Sequence, residues 1–237
     1  LIRFFAAIGI PAACLLHGYV GFLFGALKSN PWWSTPLMPV IFLFSAIVSG
    51  IAVLILFYLF LCKWNGWKIE SETVYGLSKL LWFFLIFAMS LEILEIMNLA
   101  YEGAEEWEII KPLLFDHLLF SFVGLQIIIG SFVPLLLLMF VTVFHKEMHD
   151  KIRNTLSAIA SFLLLVQVFS MRWNVVIGGQ MFSKSFRGFR QFHPHFFEKE
   201  GILPAIILLI LPMIILYVIS KVLPPFKGIM QKEEEVG

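Results

Sequence analysis

Long apolar runs separated by short polar stretches dominate this chain. Six runs reach the length of about 20 residues that a helix needs to cross a bilayer. They cover about 4–27, 37–62, 77–100, 112–144, 154–172 and 202–223. The pattern predicts an all-α, polytopic transmembrane helix bundle over residues 1–223, followed by a polar tail at 224–237. The fourth run is the longest and contains Pro134, which predicts a tilt or kink there. The first connection, SNPWWSTP, carries adjacent Trp32 and Trp33, which read as an interfacial anchor. The acidic stretch YEGAEEWEIIK reads as a loop, and about 173–200 is the one long loop. No internal repeat is visible.

Six spans put the first, third and fifth connections on one face and both ends of the chain on the other. Ten of the 17 Lys and Arg residues fall on the face of the chain ends. The positive-inside rule then places the ends in the cytoplasm and the long loop outside, with the chain in the cytoplasmic membrane. The chain opens LIRFF, without Met and already inside an apolar run, so it reads as the C-terminal portion of a longer protein.

Composition agrees with this class: 60% of residues are hydrophobic and 26 are Phe. A net charge of +1 with no basic stripe gives no sign of nucleic-acid binding. Two cysteines, Cys14 and Cys62, cannot form a disulfide framework or a cysteine-ligated cluster.

Against this background a few polar residues stand out. Glu92 and Glu95 share a face of the third run at i, i+3, with Asn98 beyond them. Asp116 and His117 open the fourth run. Arg172 ends the fifth, with Asn174 just past it and Gln167 deeper. His17 lies on the first run, roughly 15 Å from its outer end at 1.5 Å per residue. An ionisable group in the hydrocarbon costs at least roughly 2.5–3.5 kcal/mol, and all of these fall in the outer half of their spans. Their shared depth points to one site that binds a polar head group and moves protons. Each residue also has a structural reading. Glu92, Glu95 and Arg172 can equally form a structural ion-pair network. Asp116 suits a helix N-terminus, and His17 can bond a backbone carbonyl. Gly18, Gly21 and Gly25 suggest close helix packing beside His17.

The segment FSKSFRGFRQFHPHFFEKEG interleaves Phe with basic residues. Lys184, Arg187, Arg190, Phe186 and Phe189 form a candidate docking surface for a protein partner, or a segment that lies on the head groups. His193 and His195 flank Pro194 without a firm third ligand, so no metal site is expected.

The blocks HGYVGFLFG, NPWWSTPLMPVIFLFSAIVSG and RWNVVIGGQMFSKS resemble the integral membrane subunit of the NrfD / polysulfide reductase family, over nearly the whole chain. The resemblance is nearest to the HybB/DsrP/HmeB type, associated with hydrogenase-2 and dissimilatory sulfite reduction. It implies a subunit without haem or metal of its own. Such a subunit binds a quinone near the outer face and exchanges electrons with an iron–sulfur protein docked there, among other redox subunits. It also implies further helices before the segment seen here, and menaquinone as the ring. His17 then stands where the family has a helix histidine near the head group or proton path. Arg172 and Asn174 match the family's outer-face block. The carboxylate that proton-moving relatives carry after that histidine is missing, since Val20 to Phe24 are apolar or Gly. The expected site therefore has His17, Arg172, Asn174 and His117 at the quinone and Glu92, Glu95 and Asp116 in proton transfer. Arg172 would hold the carboxylates ionised. A chain with no redox centre would not catalyse alone.

Two other classes compete. A haem b anchor needs axial histidines at one depth on different helices, but His17 and His117 differ by more than one turn. A transporter also accommodates intramembrane charge, but the chain shows neither an inverted repeat nor paired broken helices.

Overall fold

A computed structural model describes residues 2–102, 105–183, 188–190, 195–198 and 201–222. The chain divides into two units, Leu1–Arg190 and Gln191–Gly237. The first holds helices α1 (Ile2–Gly25), α2 (Met38–Asn65), α3 (Ser71–Glu102) and α4 (Glu105–Pro112). Wide-turned π-helical segments follow at Leu113–His117 and Leu119–Phe132, leading into α5 (Val133–Val143). Helix α6 (Asp150–Trp173) continues as a π-helical turn through Asn174–Gly178. The second unit holds α7 (Ile202–Val222), whose first turn is tied to His195 and Phe196 by backbone hydrogen bonds.

Six of these helices are long and apolar enough to cross a membrane. In the first unit, α2, α3, α6 and the π-helical segment with α5 pack around one core, and α1 lies against α2. That core is a stack of side chains from four helices: Ile55 and Ala52 from α2, Leu81 and Leu85 from α3, Leu138 from α5 and Leu164 from α6, all with 1% exposure or less. Phe4, Leu15, Phe57, Phe83, Phe120 and Phe162 point outward. An apolar exterior of this kind is what lipid requires.

The ends of the bundle differ. At one end, α2 stops at Gly66, whose φ of +70° suits a residue without Cβ, and its N–H bonds the Cys62 carbonyl. At this end Arg153 is buried, donating to Asp150 at 2.8 Å and to the His145 carbonyl at 3.2 Å. Ser78 and Ser157 hydrogen bond beneath it at 2.9 Å.

The opposite end is closed by the α1–α2 turn, and three expectations change there. Most of the stretch read as an acidic loop is helical: Tyr101 and Glu102 end α3, and Glu105 onward forms α4, where Ile110 is fully buried and Trp107 packs beside it. The long loop starts later than residue 173, because α6 carries on to Gly178. Trp32 is buried and Trp33 half-buried, both held against the end of α6 rather than standing free as a surface pair. Trp33 Nε1 donates to the Val175 carbonyl at 2.7 Å, and Asn30 Nδ2 to the Gly179 carbonyl at 2.7 Å. A Cβ on Gly178 would strike Trp32, and one on Gly179 would strike Trp33. The turn and the end of α6 are thus clasped together. Close packing on α1 occurs at Gly21 and Gly25, which abut Pro39 and Thr35, whereas Gly18 faces open space.

Candidate functional site

The site grows from one close helix crossing. A Cβ on Gly130 would lie within 2.9 Å of Gln167 Cα, so the π-helical segment and α6 nearly touch there. One wide turn before Gly130 is Gln126, and Gln167 is the crossing residue itself. Both amides are 4% exposed, and both point at the carboxylate of Glu92 on α3. Gln126 Nε2 donates to one oxygen at 3.0 Å, and Gln167 Nε2 donates to the other at 3.1 Å. Asn174, fully buried, donates through Nδ2 to Gln126 Oε1 at 2.9 Å. Three helices therefore meet on a chain of side-chain hydrogen bonds, Asn174 to Gln126 to Glu92, with Gln167 on the far side. The wide turns contribute directly: Ser131 Oγ donates to the Gln126 carbonyl at 2.8 Å, five residues back, and holds the turn that aims Gln126.

Glu95 lies one turn further along α3. Its Oε1 is buried without a hydrogen-bond partner among the described residues. Glu92, Glu95 and Gln126 supply the polar lining of a cavity of about 30 Å³, otherwise walled by apolar groups including Trp32, Met171 and Val175. A larger open recess of about 660 Å³ lies between the α1–α2 turn and the segment after α6. Asn30, Trp33, Gly179, Gln180 and Arg190 line it.

The other expected residues fall elsewhere. Arg172 does not meet the carboxylates. Five residues beyond Gln167, it lies about 140° around the helix at about 100° per residue. It turns to α2, where Nη2 donates to Ser45 Oγ at 3.1 Å and the guanidinium sits 4.9 Å from the Phe42 ring centre. Asp116 and His117 are exposed, because the wide turn buries Leu113, Leu114 and Leu118 and leaves the opposite face to these two. The His117 ring packs on Phe189 at 4.6 Å. His17 sits half-buried on α1, its Nδ1 3.0 Å from the Ala13 carbonyl, and does not line the cavity. Lys184, Phe186 and Arg187 lie outside the described residues, as do His193 and the tail. Gln126 was not foreseen, although a lone amide in LFSFVGLQIIIGSF is as conspicuous as Gln167. Among the described residues no group of three or more His, Cys, Asp or Glu side chains could hold a metal.

Residues 1–184 match the family described as Polysulphide reductase, NrfD. The chain belongs to that family. It is 31% identical over 172 residues to the C subunit of selenate reductase from Mesobacillus selenatarsenatis, covering 71% of this chain and 37% of the relative. It is 28% identical to the C polypeptide of polysulfide reductase from Wolinella succinogenes, over 77% of this chain and 53% of the relative. A 66-residue segment is 41% identical to NrfD of Escherichia coli, covering 28% of this chain and 21% of that protein. The chain thus spans about half, or less, of the length of these relatives. No solved structure matches it. Six apolar helices together with this family make the NrfD-family chain a multi-pass membrane protein.

Proposed function

We propose that this chain is a quinone-reactive membrane subunit of a respiratory redox complex in the cytoplasmic membrane, with its ends on the cytoplasmic side. In this reading it oxidises menaquinol in sulfur-compound metabolism. It passes electrons to an iron–sulfur protein docked at the end that carries the α1–α2 turn. The observation that carries the proposal is the Glu92 network. A carboxyl group and three amides joined by hydrogen bonds inside an apolar bundle are expensive unless they work. The family relatives named as reductase subunits agree with a place in a redox complex.

A quinol gives up electrons and protons together, so its site needs a head-group pocket and a proton acceptor close by. The cavity beside Glu92 is far below the roughly 300–1,000 Å³ of ligand pockets, whereas the recess falls within that range. We therefore place the ring in the recess, over Trp33, with Gln180 and Arg190 as donors to its oxygens. Asn174 then acts through Gln126 on Glu92, not on the ring. The carboxyl pair Glu92 and Glu95 forms the proton-transfer group of the site. Arg172, His17, His117 and Asp116 stand around the bundle, outside the recess lining, and support the fold and the docking face. Phe189 and Arg190, with Lys184 and Arg187 beside them in sequence, present the partner surface.

The test uses the purified chain in lipid nanodiscs, titrated with a short-chain naphthoquinone while tryptophan fluorescence is followed. Saturable quenching, weakened by Trp33→Phe and by Arg190→Ala, supports the reading. No saturable binding, or binding indifferent to both changes, overturns it. The docking half is tested separately: charge reversal at Lys184 and Arg187 should reduce co-purification of redox partners while the helices stay inserted.

A further inference from the structure

We infer that the cavity beside Glu92 holds water, and that Glu95, rather than Glu92, is the group through which this site exchanges protons. The inference rests on the proton-transfer reading above and divides the work between two carboxyl groups that the sequence presents as equals.

The glutamates are one helical turn apart, yet their surroundings differ. Glu92 is fully engaged, with each oxygen accepting from a different amide. Those amides are themselves held. Gln126 accepts from Asn174 and is braced by Ser131, and Gln167 is pinned where Gly130 crosses it. Rotating the Glu92 carboxyl breaks two hydrogen bonds at once and leaves two buried amides unpaired. Glu95 has no such restraint on Oε1, which is buried, without a partner among the described residues, and beside the cavity.

A buried polar atom without a partner is costly. Water relieves that cost where a cavity exceeds roughly 10–15 Å³ and polar partners are present. The cavity of about 30 Å³ has room for about one or two waters, and Glu92, Glu95 and Gln126 offer polar atoms to them. The proton step is then simple. The O–H bond of the Glu95 carboxyl breaks, its proton passes to a water oxygen, and that water releases one of its other protons onward. No electrons move, and Glu95 is left as a carboxylate solvated by the water. Glu92 keeps its geometry throughout. Gln126 is a positioning residue, which holds Glu92 out of the exchange by occupying its oxygen.

Infrared spectroscopy of the purified chain in nanodiscs tests this without any quinone, so the result stands apart from the ring-binding experiment. The carboxyl C=O band is followed through a pH titration and after transfer to D₂O. The inference expects a buried carboxyl band that titrates and shifts on exchange. That band should be lost in Glu95→Gln and kept in Glu92→Gln. In Gln126→Leu a second exchanging band should appear as Glu92 is released. Leu99→Phe fills the cavity from its wall and keeps both carboxyls, so it carries the test if Glu95→Gln fails to fold. There the band should persist but exchange at least tenfold more slowly. Loss of the exchanging band in Glu92→Gln with retention in Glu95→Gln overturns the inference. So does unchanged exchange in Leu99→Phe.

Discussion

Gln126→Leu removes the centre of the hydrogen-bonded chain with little change of volume, so packing is almost preserved. Two groups lose their partners while still buried: a carboxylate oxygen of Glu92 and the Asn174 amide. By soluble-protein figures each orphan costs about 1–3 kcal/mol, or roughly 2–6 kcal/mol for the pair. Side-chain hydrogen bonds measured inside a membrane average about 0.6 kcal/mol and reach about 1.7 kcal/mol. The membrane scale governs here, because the separated helices in the unfolded reference also find polar partners. The expected loss is therefore about 1–3 kcal/mol. A sharper quantity is the coupling to Asn174. Asn174→Leu breaks the same bond from the other side and also removes Oδ1, which is buried without a partner among the described residues. The double variant should be less destabilised than the sum of the singles by about 0.6–1.7 kcal/mol. Reversible unfolding in mixed micelles titrated with dodecyl sulfate, followed by helical circular dichroism, measures all four states. Additivity to within about 0.3–0.5 kcal/mol would show that the two side chains are not bonded and would refute the network.

Three further outcomes follow from other contacts. Gly130→Ala forces α6 and the π-helical segment apart, since the added methyl meets Gln167 backbone as well as side chain. It should cost about 1–3 kcal/mol in the same unfolding assay, and an unchanged midpoint would place the crossing elsewhere. Trp33→Phe keeps an aromatic ring, smaller than the indole, but loses the bond to the Val175 carbonyl. It should speed proteolysis at the α1–α2 turn, and an unchanged cleavage rate argues against the clasp. Arg153→Met should be milder than Asp150→Asn, because the carboxylates of Asp150 and Glu72 are 67% and 74% exposed and keep their water, whereas Arg153 is buried and needs its partner. The reverse order of unfolding midpoints would contradict that burial pattern.

The spans were legible in the sequence because a bilayer sets their length and leaves little choice of composition. Glu92, Glu95, Gln167 and Asn174 were legible for the same reason, as polar atoms where polarity is costly. Their partners were harder to read. A helix that is apolar on all sides carries no periodicity to show which face turns inward, so Gln126 in LFSFVGLQIIIGSF gave no sign that it would meet Glu92. Arg172 looked like the natural counter-ion of the glutamates, but its angular offset from Gln167 sends it to Ser45. The wide turns at Leu119–Phe132 pack against α6 and are braced by local bonds such as Ser131 to Gln126, while that at Leu113–His117 packs on α4 and buries Leu113 and Leu114. They moved Asp116 and His117 to the surface against a reading based on depth alone.

Trp32 and Trp33 are neighbours in sequence with opposite outlooks. Trp32 walls the inner cavity and meets Phe122 edge-on at 6.4 Å, while Trp33 floors the outer recess. Consecutive Cα atoms are about 3.8 Å apart, so the inner cavity and the outer recess are lined by neighbouring residues at the end of the bundle. A ligand seated on Trp33 would therefore lie one residue along the chain from the wall of the carboxyl cavity, separated from it by the clasped turn and not by the depth of the bundle.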